Sequence, residues 1–119
     1  MKSFYSIILV LLLSFSCKKE NNNTHSVQYN VTMTTPGSGA YTLRYTLSDG
    51  TFRSEGPITS ETWVSENYNG YKKGSIVSLY LDSPGGTYEM SIYVDGQLSS
   101  HTSADGGVGE QILEASIPN

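Results

Sequence analysis

From Val27 onward the chain alternates apolar and polar residues with period two, and turn-forming glycines, prolines and aspartates interrupt it about every ten residues. Val27, Tyr29, Val31 and Met33 point one way and Gln28, Asn30, Thr32 and Thr34 the other. That periodicity belongs to a strand with one buried face, because successive side chains of extended backbone project to opposite sides. Pro36-Gly37-Ser38-Gly39 breaks the first run, after which Tyr41, Leu43, Tyr45 and Leu47 alternate with Thr42, Arg44 and Thr46 up to Ser48-Asp49-Gly50. A short strand is expected at Thr51 to Ser54. Gly56-Pro57 then interrupts, and Ile58 to Tyr68, holding Trp63 and Val64, reads as one strand with a bulge or corner.

Lys72-Lys73-Gly74 makes the next turn. Ile76 to Leu81 places Val77, Leu79 and Leu81 on a common face, and Pro84-Gly85-Gly86 ends that strand. Tyr88, Met90, Ile92 and Val94 then run into Asp95-Gly96, the dipeptide favoured in two-residue type I′ hairpin turns, with Leu98 and Ser100 returning. Ala104 to Gly109 reads as a glycine-rich loop, and Gln111 to Ile117 as a last strand with Leu113, Ala115 and Ile117 on one face. The pattern predicts an all-β chain, a single antiparallel β-sandwich of about seven to eight short strands over residues 26–119.

The segment before the domain has a different logic. Met1-Lys2 is a minimal positive start, Ile7 to Leu13 is an unbroken apolar run, and Ser14-Phe15-Ser16 precedes Cys17, the single cysteine. The run is too short to span a bilayer, which takes about 20 apolar residues, and has the layout of a cleaved secretory signal over residues 1–16. Leu13-Ser14-Phe15-Ser16-Cys17 resembles the lipobox of bacterial lipoproteins, as found in Bacteroidota-type leaders. The resemblance implies that Cys17 is acylated, becomes the first mature residue and holds the protein on the outer membrane. Two or more acyl chains suffice for stable anchoring at about 0.8 kcal/mol per buried methylene. Lys18-Lys19-Glu20 and Asn21-Asn22-Asn23-Thr24-His25 lack periodicity and complete a flexible tether over residues 17–25. Charged residues directly after the cysteine resemble the signal that sends some Bacteroidota lipoproteins to the cell surface, so the periplasmic face and the cell surface are both open locations.

Two stretches of the domain, Tyr71-Lys72-Lys73-Gly74-Ser75-Ile76-Val77-Ser78-Leu79 and Met90-Ser91-Ile92-Tyr93-Val94-Asp95-Gly96-Gln97, resemble the small extracytoplasmic domain of the MmpS-type family. That resemblance implies an immunoglobulin-like sandwich and an accessory role in an envelope protein complex. It implies no catalytic residues.

Charge and chemistry narrow the function classes. From Ser26 onward four basic residues (Arg44, Arg53, Lys72, Lys73) stand against ten acidic ones, which argues against nucleic acid as a partner, since phosphate binding needs clustered Lys and Arg. The only histidines are His25, in the expected tether, and His101, expected as a solvated surface residue. No Ser-His-acid set is therefore specified, and Asp82, Asp95 and Asp105 flank turn residues rather than forming a metal motif. The expectation is a non-enzymatic chain without metal or cofactor. Nine tyrosines and one tryptophan supply the remaining signal. Trp63, Tyr68, Tyr71, Tyr80 and Tyr93 include several on faces assigned to solvent, and exposed rings form platforms for a glycan or a protein partner; Trp63, Tyr68 and Tyr71 are the candidate ligand contacts.

Overall fold

The computed structural model describes residues 24–34, 39–105 and 108–119. The signal peptide, Cys17, the first part of the tether, the break at Pro36 to Ser38 and the pair Gly106-Gly107 lie outside the described residues. The described residues form nine strands: β1 (Thr24–Met33), β2 (Tyr41–Thr46), β3 (Phe52–Ile58), β4 (Thr62–Val64), β5 (Tyr68–Lys72), β6 (Ile76–Pro84), β7 (Thr87–Val94), β8 (Gln97–Asp105) and β9 (Val108–Ser116). They form two antiparallel sheets packed as a sandwich, one ordered β4-β1-β7-β8 with β5 also on β1, the other ordered β3-β2-β6-β9.

The chain is the antiparallel β-sandwich that the alternation predicts, with nine strands instead of seven or eight. Every face assigned inward from the sequence is inward. Val27, Tyr29, Val31 and Met33 of β1 are fully buried, and so in substance are Val77, Leu79 and Leu81 of β6, Tyr88, Met90, Ile92 and Val94 of β7, and Leu113, Ala115 and Ile117 at the C-terminus. Burying a side chain of this size contributes about 1.5–3 kcal/mol relative to exposure, so these rows hold the two sheets together.

In the four-stranded sheet β3, β2, β6 and β9 lie side by side in that order. Between its last two strands the chain inserts a complete hairpin, β7–β8, into the other sheet. The insertion is one long ribbon bent once. Thr87 faces Asp105 on one side of the bend and Pro84 faces Val108 on the other, with two residues between on each strand, so the register is the same on both sides. Gly85 and Gly86, both at positive φ (102° and 100°), supply the bend on one strand. At the far tip Asp95 (φ 53°) and Gly96 (φ 81°) both take the left-handed conformation of the expected type I′ turn.

Several boundaries differ from the sequence reading. Thr24 and His25 belong to β1, not to the tether, because Thr24 pairs with Lys72 and His25 with Tyr71. His25 Nδ1 is 2.5 Å from Asp95 Oδ2, and Asp95 Oδ1 accepts the Ser26 N–H at 3.0 Å. Partial burial pushes the Asp95 carboxyl up, but the His25 contact and the Ser26 donors outweigh it and leave the group below the ordinary carboxylate value. Ser26 Oγ also lies on Asp95, not on the imidazole, so the trio pins the hairpin tip to β1.

The expected strand from Ile58 to Tyr68 is instead a corner followed by two short strands. Ile58 ends β3 in the four-stranded sheet, the chain crosses, and β4 and β5 then lie end to end along β1, Trp63 opposite Val31 and Tyr68 opposite Val27. The Tyr41 hydroxyl donates to Ser60 O and Met33 N–H donates to Glu61 O, which fasten the crossing. Gly56-Pro57 does not end β3, because a proline is tolerated on an edge strand. Gly56 is obligatory there: a Cβ would stand 2.8 Å from Thr42 Cγ2, on backbone at φ 134°. Ala104 and Val108 are strand residues, so the expected loop over Ala104 to Gly109 is shorter than the composition implies.

Candidate functional site

Strand β2 divides the aromatic side chains of the molecule between two places. Its inward residue Tyr45 joins a cluster in the core, while its outward residues Arg44 and Thr42 face solvent beside a second aromatic group.

The inner cluster contains the three residues expected as ligand contacts. Tyr71 is buried, which removes it as a contact, and Trp63 and Tyr68 are half-buried with their rings against the core. All three sit at inward positions of the short strands that close one edge of the sandwich. Tyr45 is central: its ring centroid is 4.9 Å from Tyr29, 5.4 Å from Trp63 and 5.9 Å from Tyr68. A buried phenol must satisfy its hydroxyl, and each one here does. Tyr29 and Tyr71 both donate to the carbonyl of Thr46, each at 2.7 Å. Tyr45 donates to Glu55 Oε2 at 2.9 Å and lies 3.0 Å from the Tyr68 hydroxyl, while Arg53 Nε donates to the same Glu55 oxygen at 2.9 Å.

A substitution within the backbone ladder makes the double acceptor available. One step past the Tyr45–Leu79 pair, where the β2–β6 register ends, Ser78 N–H donates at 3.0 Å to the side-chain oxygen of Thr46. The Thr46 carbonyl is thereby released to receive two tyrosine hydroxyls. Desolvation raises the ionisation of Tyr29, Tyr41, Tyr45 and Tyr71 above the ordinary phenolic value, and for Tyr45 the Tyr68 hydroxyl and the Glu55 carboxylate add to it. Chemically the inner cluster holds protons tightly and presents little surface, which is the behaviour of a structural network.

The second group lies on the outer face of the four-stranded sheet, and Tyr80 is its one member that the sequence reading named among the rings. Arg44 lays its guanidinium 4.2 Å from the Tyr80 ring centre and 5.4 Å from that of Phe52, and the two rings meet edge to face at 5.7 Å. Arg44 Nη2 is also 3.4 Å from Glu110 Oε2. Tyr80 pairs across the sheet with Ile112 and Asp82 with Glu110, so an apolar row crosses the face with acids beside it. Phe52, Ile76, Val108 and Ile112 are each half or more exposed. They are four of the six large exposed hydrophobic side chains among the described residues, and Val64 and Leu98, on the other sheet, are the remaining two. An open depression of about 410 Å³ lies on the acidic side of Arg44 and Tyr80, lined by Thr42, Arg44, Ser54, Tyr80, Asp82 and Glu110.

One signal for this face was present in the sequence. Ile112 stands between polar positions of a strand whose inward row is Leu113, Ala115 and Ile117, and Ile76 likewise precedes inward Val77; each is an apolar residue on the face that alternation assigns to solvent. Nothing comparable flagged Arg44, whose two aromatic neighbours come from different strands.

His101, expected at the surface, is exposed there, with Nε2 3.2 Å from Glu89 Oε1. Among the described residues no three His, Cys, Asp or Glu side chains come together in a way that could hold a metal ion. Comparison of the chain with protein-family models and with curated proteins gives no match.

Proposed function

We propose that the chain is a lipid-anchored domain of the cell envelope, held on the outer membrane through Cys17, that works without catalysis by docking a protein partner on the outer face of its four-stranded sheet. The observation that carries the docking surface is the concentration of Phe52, Ile76, Val108 and Ile112 on one outer face around the Arg44–Tyr80–Phe52 stack. Exposed apolar groups rimmed by polar ones mark interaction surfaces, and aromatic residues and Arg are enriched at such surfaces. The leader ending at Cys17 and the two MmpS-like segments support the envelope address and the accessory role.

A glycan platform at Trp63, Tyr68 and Tyr71 is the weaker reading, because those rings pack against the core. On the outer face the Arg44 guanidinium covers the Tyr80 ring that a sugar would stack on, while the remaining exposed groups are mostly aliphatic, which suits a protein surface.

The test is a photo-crosslinking amino acid placed in the full chain in cells, at Ile112 in one strain and at Thr32, on the outer face of the other sheet, in a second. A discrete adduct from position 112 and none from 32 is the expected result. Adducts at both positions, or at neither, would defeat the reading. Fractionation of the Cys17→Ser variant tests the address in parallel, with release from the membrane fraction expected.

A further inference from the structure

The two sheets have four outer edges, and three of them are closed to strand addition. Edge strand β3 contains Pro57, which has no N–H to offer, and carries the charged pair Arg53–Glu55. The edge beside β1 is shared between β4 and β5, of three and five residues, with a break between them. Edge strand β9 carries Glu110 and Glu114 on one face, and antiparallel self-pairing about Ile112 would set each Glu110 against a Glu114, the like-charge arrangement that destabilises a sheet.

The fourth edge, β8, has none of these. It runs nine residues with no Pro, Gly, Lys or Arg, pairs only with β7 among the described residues, and is exposed along its length apart from Ser100 and Thr102. Its one irregularity opposite β7 falls between Ile92 and Tyr93, near the hairpin tip, and leaves the segment after Ser100 regular. A long open edge of this kind is a template for another strand.

We propose that β8 pairs antiparallel with β8 of a second copy, about a two-fold axis at Ser103. The choice of occupant and register comes from the polar pairs that the strand can make with itself. With Ser103 opposite Ser103, Thr102 meets Ala104, and His101 meets Asp105 of the second copy twice over, on the same face of the joined sheet. No carboxylate is set against another, which separates β8 from β9. The contact is isologous, so it closes at two chains, and it makes one continuous sheet of the two five-stranded ones. The surface used is distinct from the outer face of the four-stranded sheet and does not depend on it.

Sedimentation equilibrium of the full chain in density-matched detergent tests the pairing, with circular dichroism confirming the fold of each variant. A concentration-dependent species of twice the chain mass is expected. Asp105→Lys, at an exposed position, is expected to weaken it on the order of tenfold, since both His101–Asp105 pairs are lost. The double variant His101→Glu/Asp105→Lys is expected to restore it by reversing each pair. A chain that stays monomeric at every concentration overturns the proposal. So does a dimer indifferent to Asp105→Lys, or one that the double variant does not recover.

Discussion

Two aromatic groups share strand β2 and differ in almost every physical respect. Inside, Tyr45 touches three other rings and its hydroxyl ends on a carboxylate, while Tyr29 and Tyr71 converge on one carbonyl. Outside, Tyr80 and Phe52 are bridged by a cation, and Phe52 is half exposed. The inner group is determined by satisfaction of buried polar atoms, so each member depends on the others. The outer group has water as an alternative partner, so its members are replaceable for the fold and available for binding.

Breaking the inner group should have the largest effect. Tyr45→Ala removes a fully buried ring at the centre of the cluster and is expected to cost about 3–5 kcal/mol, read from the midpoint of urea unfolding. Alkali should attack the same group. The folded ionisation of Tyr29, Tyr41, Tyr45 and Tyr71 lies above that of the unfolded chain, near 10, so the unfolded state releases protons first and stability falls as pH rises beyond that value. The absorbance change of these four phenols is expected to coincide with loss of structure, not to precede it.

Thr46→Val tests the shared acceptor. It keeps the shape but leaves Ser78 N–H without its partner, and about 1–3 kcal/mol should be lost. Tyr71→Phe in the same unfolding assay should cost only about 1 kcal/mol, since Tyr29 still satisfies the Thr46 carbonyl. Smallest for stability are changes to the outer group. Phe52→Ser combined with Ile76→Ser is expected to shift unfolding by no more than about 0.5 kcal/mol per site while abolishing partner adducts from the crosslinker at position 112. A large loss of stability from that pair would show that the two groups are energetically one.

The alternation read from the sequence identified the inward row of β1, β6, β7 and the C-terminal strand, and the Asp95-Gly96 turn, because both signals are local: a strand's faces follow from its own pleat, and a type I′ turn needs two residues with positive φ. The same reading misjudged Tyr71, since a tyrosine suits either face and only the neighbouring sheet decides which is covered. It also missed Arg44, Phe52 and Ile112, which are separated in the chain and join Tyr80 only through the β3-β2-β6-β9 order.

What the sequence by itself determined is therefore the class of the domain, the facing of its strands, and the charge that disfavours nucleic acid. Tertiary structure alone decided which sheet each strand joins, how the ribbon bends at Gly85-Gly86 into both sheets, which tyrosines become structural, and where an open strand edge is left. The physical reason is that a period of two encodes which side of a strand avoids water but carries no information about which strand lies beside it.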